Sequence, residues 1–208
     1  MSPPTDETVE AAAPKDAGRV TRGWVVPAII GSALLMQTLN ATVITNALPA
    51  MAESFGVAPV RLSIAITVYM LSAAIFLPLS GWLADRFGAK RIFLASIVLY
   101  AVGSLACALS GTLWQMILAR FIQGAAGATL MPVGRLVLLR TTPKTELVGA
   151  MSVVTMPALL GPVIGPVLGG AIVTFADWPW IFLINLPIAL TGFFLVRAFV
   201  PDVKEQAR

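Results

Sequence analysis

Six apolar runs fill most of this sequence, and they leave few folds open. They lie at about Trp24–Leu48, Leu62–Trp82, Ile92–Leu109, Leu113–Leu136, Val148–Phe175 and Trp180–Val200. A membrane-crossing helix needs roughly 20 predominantly apolar residues. These runs are apolar all round rather than along one stripe, which does not suit the surface of a water-soluble domain. In lipid each segment must satisfy its own backbone N–H and C=O groups, so spans of this length are helices. Composition agrees: 58% of the 208 residues are hydrophobic and 12% charged, against about a quarter charged in an ordinary soluble domain. The sequence therefore predicts an all-α integral membrane protein with a six-helix transmembrane bundle at 24–200. Residues 1–23 are polar and rich in Pro, Ala and charge. They read as a disordered tail without the apolar core of a signal peptide. Residues 201–208 read as a polar end to the chain.

Basic residues orient the bundle. Lys15, Arg19 and Arg22 precede the first run, and Arg86, Lys90 and Arg91 lie between the second and third. Arg135, Arg140 and Lys144 flank the fourth-to-fifth connection, and Arg197, Lys204 and Arg208 close the chain. That is 12 of 14 on one side, with Arg61 opposite and Arg120 within a span. Cytoplasmic loops carry the excess of Lys and Arg, so both termini are expected in the cytoplasm and the chain in the plasma (inner) membrane. The formal net charge of +4 is thereby accounted for by membrane topology, and no nucleic-acid partner is expected. All five tryptophans (Trp24, Trp82, Trp114, Trp178 and Trp180) fall at span ends, where amphipathic rings favour the lipid–water interface. The outer connections are short: Ser110-Gly111-Thr112 closes a tight hairpin, and Met51–Arg61 is the longest.

Arg120 is the outstanding residue inside the membrane. A charge at mid-span costs at least about 2.5–3.5 kcal/mol on insertion scales, so it must face a partner or a wet cavity. No Asp or Glu lies within any of the six runs. Arg120 is therefore a substrate- or proton-pathway charge, or a cation held by backbone carbonyls. Gln123 shares its helix face three residues on, and Gln37 and Asn40 repeat that spacing in the first run. Those amides either line a cavity or join helices. Asn46, near the outer end, reads as a helix-joining or solvated group.

Two further stretches stand out. Gly81-Trp82-Leu83-Ala84-Asp85-Arg86-Phe87-Gly88-Ala89-Lys90-Arg91 is the densest charge cluster. There Gly88 permits a tight turn, and Asp85 can pair with a basic neighbour or a helix N-terminus. In the fifth run, Gly161, Gly165 and Gly169 recur at every fourth residue beside Pro162 and Pro166, and Gly170 follows. On a helix those glycines make a groove without side chains, into which a second helix backbone can pack. Each proline releases the carbonyl of the preceding turn, which neighbouring helices are expected to re-satisfy.

These stretches resemble the N-terminal half of a major facilitator superfamily transporter, and more narrowly its multidrug:proton antiporter branch with about fourteen helices. Gly81–Arg91 is similar to the superfamily loop G-x-L-a-D-r-x-G-r-k-r, departing at Ala89. Arg120-Phe121-Ile122-Gln123-Gly124 is similar to the fourth-helix R-x-x-q-G, with Ala126 at a usual glycine. Gly161–Gly170 follows G-P-x-x-G-P-x-x-G-G without a break, and Trp178–Pro187 follows W-R-W-x-F-x-I-N-x-P with Pro179 for the arginine. In the first span, Leu39–Pro49 departs from L-D-x-T-x-x-N-x-A-L-P by carrying Asn40 at the carboxylate and Thr45 at the asparagine.

The resemblance implies two inverted three-helix repeats, helices 1–3 and 4–6, working with a second six-helix bundle supplied by a C-terminal half or another copy. It implies proton-coupled efflux of a small organic substrate, with proton and lipid bilayer as the other partners. Gln37, Asn40, Arg120 and Gln123 would serve the substrate and proton pathway. Gly81, Asp85, Arg86, Gly88 and Arg91 would form a cytoplasmic gate. Gly161, Pro162, Gly165, Pro166, Gly169 and Gly170 would form a bending, sealing helix. Asn40 takes up no proton, so coupling through that position is not expected. No metal and no cofactor are expected. An inactive fragment, or a half-transporter needing a second bundle, shares every one of these motifs and is the alternative; an intramembrane enzyme is the rival of another class, but the chain has no histidine and no paired membrane carboxylates to serve as acid and base.

Overall fold

A computed structural model describes residues 17–200, with side chains from Trp24 onward. Its helices are α1 (Ala17–Ser54), α2 (Pro59–Phe87), α3 (Ala89–Ala108), α4 (Leu113–Thr141), α5 (Leu147–Phe175), α6 (Trp180–Leu183) and α7 (Asn185–Phe199). No strand occurs among the described residues. Six segments are long and apolar enough to cross a membrane, the sixth being α6 and α7 taken together, Trp180–Phe199. The all-α, six-span expectation therefore holds.

Several boundaries move. Residues 17–23, expected in the tail, form the start of α1. A helix already nucleated by the span adds one backbone hydrogen bond per further residue, so it extends even through Gly18, Val20, Thr21 and Gly23, which are weak helix formers. The rest of the tail, and the chain end at 201–208, lie outside the described residues. At its other end α1 runs past Leu48, through Pro49, to Ser54. The outer connection expected at Met51–Arg61 shrinks to residues 55–58, with Gly56 at φ 63°. The charged segment expected as a loop at Gly81–Arg91 is the end of α2, Gly88 alone, and the start of α3. Gly88 has φ 94°, a backbone setting that disfavours any side chain. In the sixth span helical assignment breaks at Ile184, where Pro187 withholds the N–H that would bond the Leu183 carbonyl.

The most extensive packing is α1 on α5 and α2 on α4. Exchanging helix 1 with 4 and helix 2 with 5 converts one pair into the other, the pairing that two inverted three-helix repeats produce. Buried apolar side chains form two cores. One gathers Ile30, Phe93, Leu130 and Val196. The other gathers Met51, Leu62, Met116 and Phe182. Along α1, α3 and α4, and from α6 to α7, membership switches from one core to the other at mid-length. The buried polar side chains Asn40, Ser104, Arg120, Gln123 and Asn185 occupy that junction.

Candidate functional site: a polar layer at mid-bundle

The site is built around Arg120 on α4, one of the largest fully buried side chains, at 1% exposure. Its Nη1 donates to Gln123 Oε1 at 2.8 Å, the helical i, i+3 contact that the spacing allowed. Gln123 Nε2 donates onward to Ser104 Oγ on α3 at 2.8 Å. Asn185 Nδ2, at the start of α7, donates to the same hydroxyl at 3.4 Å. The Cys107 thiol lies 3.8 Å from Gln123 Oε1. A hydrogen-bonded chain thus ties α4, α3 and α7 through Gln123, Ser104 and Asn185, with the cation at its end. The guanidinium carbon lies 4.9 Å from the Phe182 ring centre and 5.5 Å from that of Tyr69. Such contacts stabilise a desolvated cation by about 0.5–2 kcal/mol each. These ring contacts supply no hydrogen-bond acceptor to the guanidinium edge. Nε and Nη2 are buried without a hydrogen-bond partner.

Beside Arg120 lies a second group of polar side chains. Gly127 of α4 leaves a notch into which the Tyr69 hydroxyl, Gln37 Nε2 and the Tyr100 ring converge. They stand 3.0, 3.4 and 3.5 Å from where a Cβ would sit. Gln37 Nε2 donates to the Gly127 carbonyl at 3.1 Å, so this amide joins α1 to α4. Gln37 also neighbours the Tyr69 hydroxyl, and Asn40 neighbours the Tyr100 hydroxyl, without hydrogen-bonding geometry in either case. Both amide atoms of Asn40 and both tyrosine hydroxyls are buried and unpartnered. Of the four residues expected to act together, Arg120 and Gln123 are in contact, and Gln37 and Asn40 stand across the Tyr69–Tyr100 pair. All except Gln37 are buried within this one bundle, rather than lining an open surface. The alternative of Arg120 held by backbone carbonyls fails, because its one protein hydrogen bond goes to an amide side chain.

Sequence reasoning missed Ser104, Tyr69 and Tyr100. One signal was available: these are the only two tyrosines and both sit mid-span, whereas amphipathic rings favour the membrane interface.

The α5 stretch divides cleanly. Gly161, Gly165 and Gly169 are buried against α1, while Pro162, Pro166 and Gly170 are exposed. A Cβ at Gly161 would overlap the Thr38 side chain, one at Gly165 the Thr42 side chain, and one at Gly169 would lie 3.1 Å from the Val43 carbonyl. Thr42 Oγ1 lies 3.4 Å from the Gly161 carbonyl and Asn46 Nδ2 donates to the Pro166 carbonyl at 2.9 Å. The expectation that neighbours re-satisfy released carbonyls is therefore not met at these positions. Pro162 and Pro166 release those of Ala158 and Pro162, one turn away from the carbonyls α1 reaches.

At the charged end, Asp85 pairs with Arg140 of α4 at 3.4 Å. Arg140 had read as an ordinary orienting charge. Arg86 stacks over Trp82 at 5.4 Å and Phe87 at 5.9 Å. Lys90 Nζ donates to the Arg197 carbonyl at 3.3 Å. Gly81 and Arg91 are exposed.

Comparison with known proteins agrees with this architecture. The profile of the Major Facilitator Superfamily matches residues 30–208. MdtD of Salmonella dublin, whose name refers to multidrug resistance, is 45% identical over 180 residues, covering 86% of this chain and 38% of that protein. MdtD of Salmonella typhimurium is 45% identical over 174 residues, covering 84% and 37%. The chain thus spans under two-fifths of the length of these relatives. Among solved structures, the proton:xylose symporter XylE bound to 6-bromo-6-deoxy-D-glucose superposes with a TM-score of 0.77 at 14% identity, covering 88% of this chain and 46% of that one. A D-xylose-proton symporter gives 0.72 at 16% identity, covering 86% and 48%. These two likenesses concern the fold. With six membrane-capable helices, repeat-type pairing and a family match over most of its length, the chain belongs to the major facilitator superfamily.

Proposed function

We propose that this chain forms one six-helix bundle of a secondary transporter of the multidrug:proton antiporter branch, exporting small organic compounds by proton exchange. Both termini face the cytoplasm in the plasma (inner) membrane, and transport proceeds by rocking against a second bundle around a central site. The observation that carries this reading is the polar layer: a buried cation and several unpartnered polar atoms held at mid-depth between two apolar cores. Intramembrane charges are costly and mark substrate and ion pathways. Asp85, Arg140 and Gly88 form the cytoplasmic latch, and the α5 glycine seam lets α5 bend and slide on α1. Asn40 takes up no proton, and the described acidic residues lie at helix ends or in connections: Glu53, Asp85, Glu146 and Asp177. Proton uptake is therefore assigned to the second bundle.

The test is reconstitution of this bundle together with a second bundle in vesicles with an imposed proton gradient and a fluorescent dye. Gradient-dependent dye efflux is expected, falling to the level of empty vesicles in Arg120→Ala with folded yield unchanged. Undiminished efflux in that variant would remove Arg120 from the pathway.

A further inference from the structure

The pattern of satisfied and free donors on Arg120 has a shape. Gln123 takes Nη1, and the Phe182 and Tyr69 ring centres lie 4.9 and 5.5 Å from the guanidinium carbon. What remains is the Nε–Nη2 edge, both atoms buried and unpartnered. Two parallel N–H groups on one guanidinium edge match the two oxygens of a carboxylate, a pairing both stronger and more directional than a point-charge contact. No protein carboxylate approaches this edge: among the described residues the acidic groups lie at helix ends and connections. Isolated buried charge is expensive, so a compensating anion has a strong claim on the position. Further unpartnered atoms stand in the same layer: the Asn40 amide and the Tyr69 and Tyr100 hydroxyls. Those three groups can donate to an anion, and Asn40 in place of a carboxylate removes the repulsion that would exclude one.

We propose that the Nε–Nη2 edge of Arg120 binds the carboxylate of a small organic anion, with Asn40, Tyr69 and Tyr100 as the polar wall of its site. This assigns a substrate class to the transporter reading and rests on that reading only for the anion being cargo. The bound carboxylate has two sources, transported cargo or an anion resident from solution, and the two arms of the test separate them.

The first arm is thermal unfolding of the purified protein in detergent, titrated with sodium lactate against sodium chloride at matched ionic strength. A saturable lactate-dependent rise in Tm is expected, because a ligand of the folded state stabilises it by mass action. Chloride should not reproduce it. Arg120→Lys keeps the charge but not the two-pronged edge, and should weaken the apparent lactate affinity about tenfold or more. An equal response to chloride, or to neither salt, would overturn the carboxylate assignment. Should Arg120→Lys fail to fold, Gln123→Glu decides. It places a carboxylate at the position bonded to Nη1, neutralises the cation, and should raise the basal Tm while abolishing the lactate effect. A lactate response surviving in Gln123→Glu would sink the proposal. The second arm follows exchange of radiolabelled lactate across reconstituted vesicles. Arg120-dependent exchange identifies the carboxylate as cargo, and binding without exchange overturns that assignment. Gradient-driven dye efflux without any lactate response would defeat this inference and leave the transporter reading standing.

Discussion

The α1–α5 and α2–α4 interfaces are equivalent under the exchange of repeats, yet they solve close packing in different ways. In each, glycines on one helix admit side chains from the other, and a hydroxyl crosses to a backbone carbonyl. On α5, Gly161 and Gly165 meet threonine side chains, Thr38 and Thr42, and only Gly169 meets backbone first, the Val43 carbonyl at 3.1 Å. On α4, Gly124 meets backbone, the Tyr69 carbonyl oxygen, with Ser72 Cβ 3.0 Å away. The first interface is a seam, one helix half exposed and bordered by three prolines, Pro157, Pro162 and Pro166. The second encloses the cation. Interchangeable side-chain contacts suit a seam that slides. Backbone-limited contacts suit a wall that must hold Arg120 and Tyr69 at fixed distance.

The comparison breaks most sharply at Gln123, which has no counterpart in the α1–α5 seam. Gln123→Ala removes the bond from Arg120 and the one to Ser104, leaving another buried guanidinium nitrogen unpartnered. A loss of about 2–3 kcal/mol is expected, since hydrogen bonds to charged groups lie at the high end. Thermal unfolding in detergent measures it, and a neutral result would mean that the rings alone hold the cation. Next come the glycines. Gly124→Ala should destabilise by about 1–3 kcal/mol, the usual range for overpacking. No side-chain change on α2 should relieve it, because the obstacle is the Tyr69 carbonyl. Gly165→Ala should cost about 1–2 kcal/mol within the same range, and Thr42→Ala should recover part of that loss by removing the nearer contacting atom, the Thr42 Cβ remaining 2.8 Å away. A double-mutant cycle reads the difference: strong coupling between positions 42 and 165, and near-additivity for Tyr69→Phe with Gly124→Ala. Equal coupling in both pairs would erase the distinction between seam and wall.

Much of this was legible before any coordinates. Span number followed from apolar length, tryptophan placement from interfacial chemistry, and the α5 groove from glycines spaced by four. The Arg120–Gln123 contact followed from helical spacing. What stayed hidden was which faces of different helices meet. Helices apolar all round carry no stripe to orient them, so nothing in the sequence joined Ser104 to Gln123 and Asn185 across three helices. Arg140 was likewise indistinguishable from its basic neighbours until the end of α4 came beside Asp85. Helix ends were underestimated because sequence reading stops where apolarity stops. Hydrogen bonding carries α1 through Pro49 to Ser54, where water can solvate what the proline releases.

The smallest effects compare the two crossing hydrogen bonds with firm geometry. Ser72 Oγ donates to the Phe121 carbonyl at 2.7 Å from a buried position on α2. Asn46 Nδ2 donates to the Pro166 carbonyl at 2.9 Å from an exposed position on α1. Interhelical side-chain bonds in membranes average roughly 0.6 kcal/mol, with a ceiling near 1.7, because the separated helices find other partners. Ser72 has few alternatives once buried, so Ser72→Ala should cost about 1 kcal/mol, toward the upper part of that range. Asn46 can exchange its carbonyl for water, so Asn46→Ala should cost about 0.5 kcal/mol or less. Both are read as shifts in unfolding midpoint under one detergent condition. If Asn46→Ala proved the costlier, the α1–α5 seam would depend on its polar rim more than on its glycines, and the sliding role given to α5 would have to be abandoned.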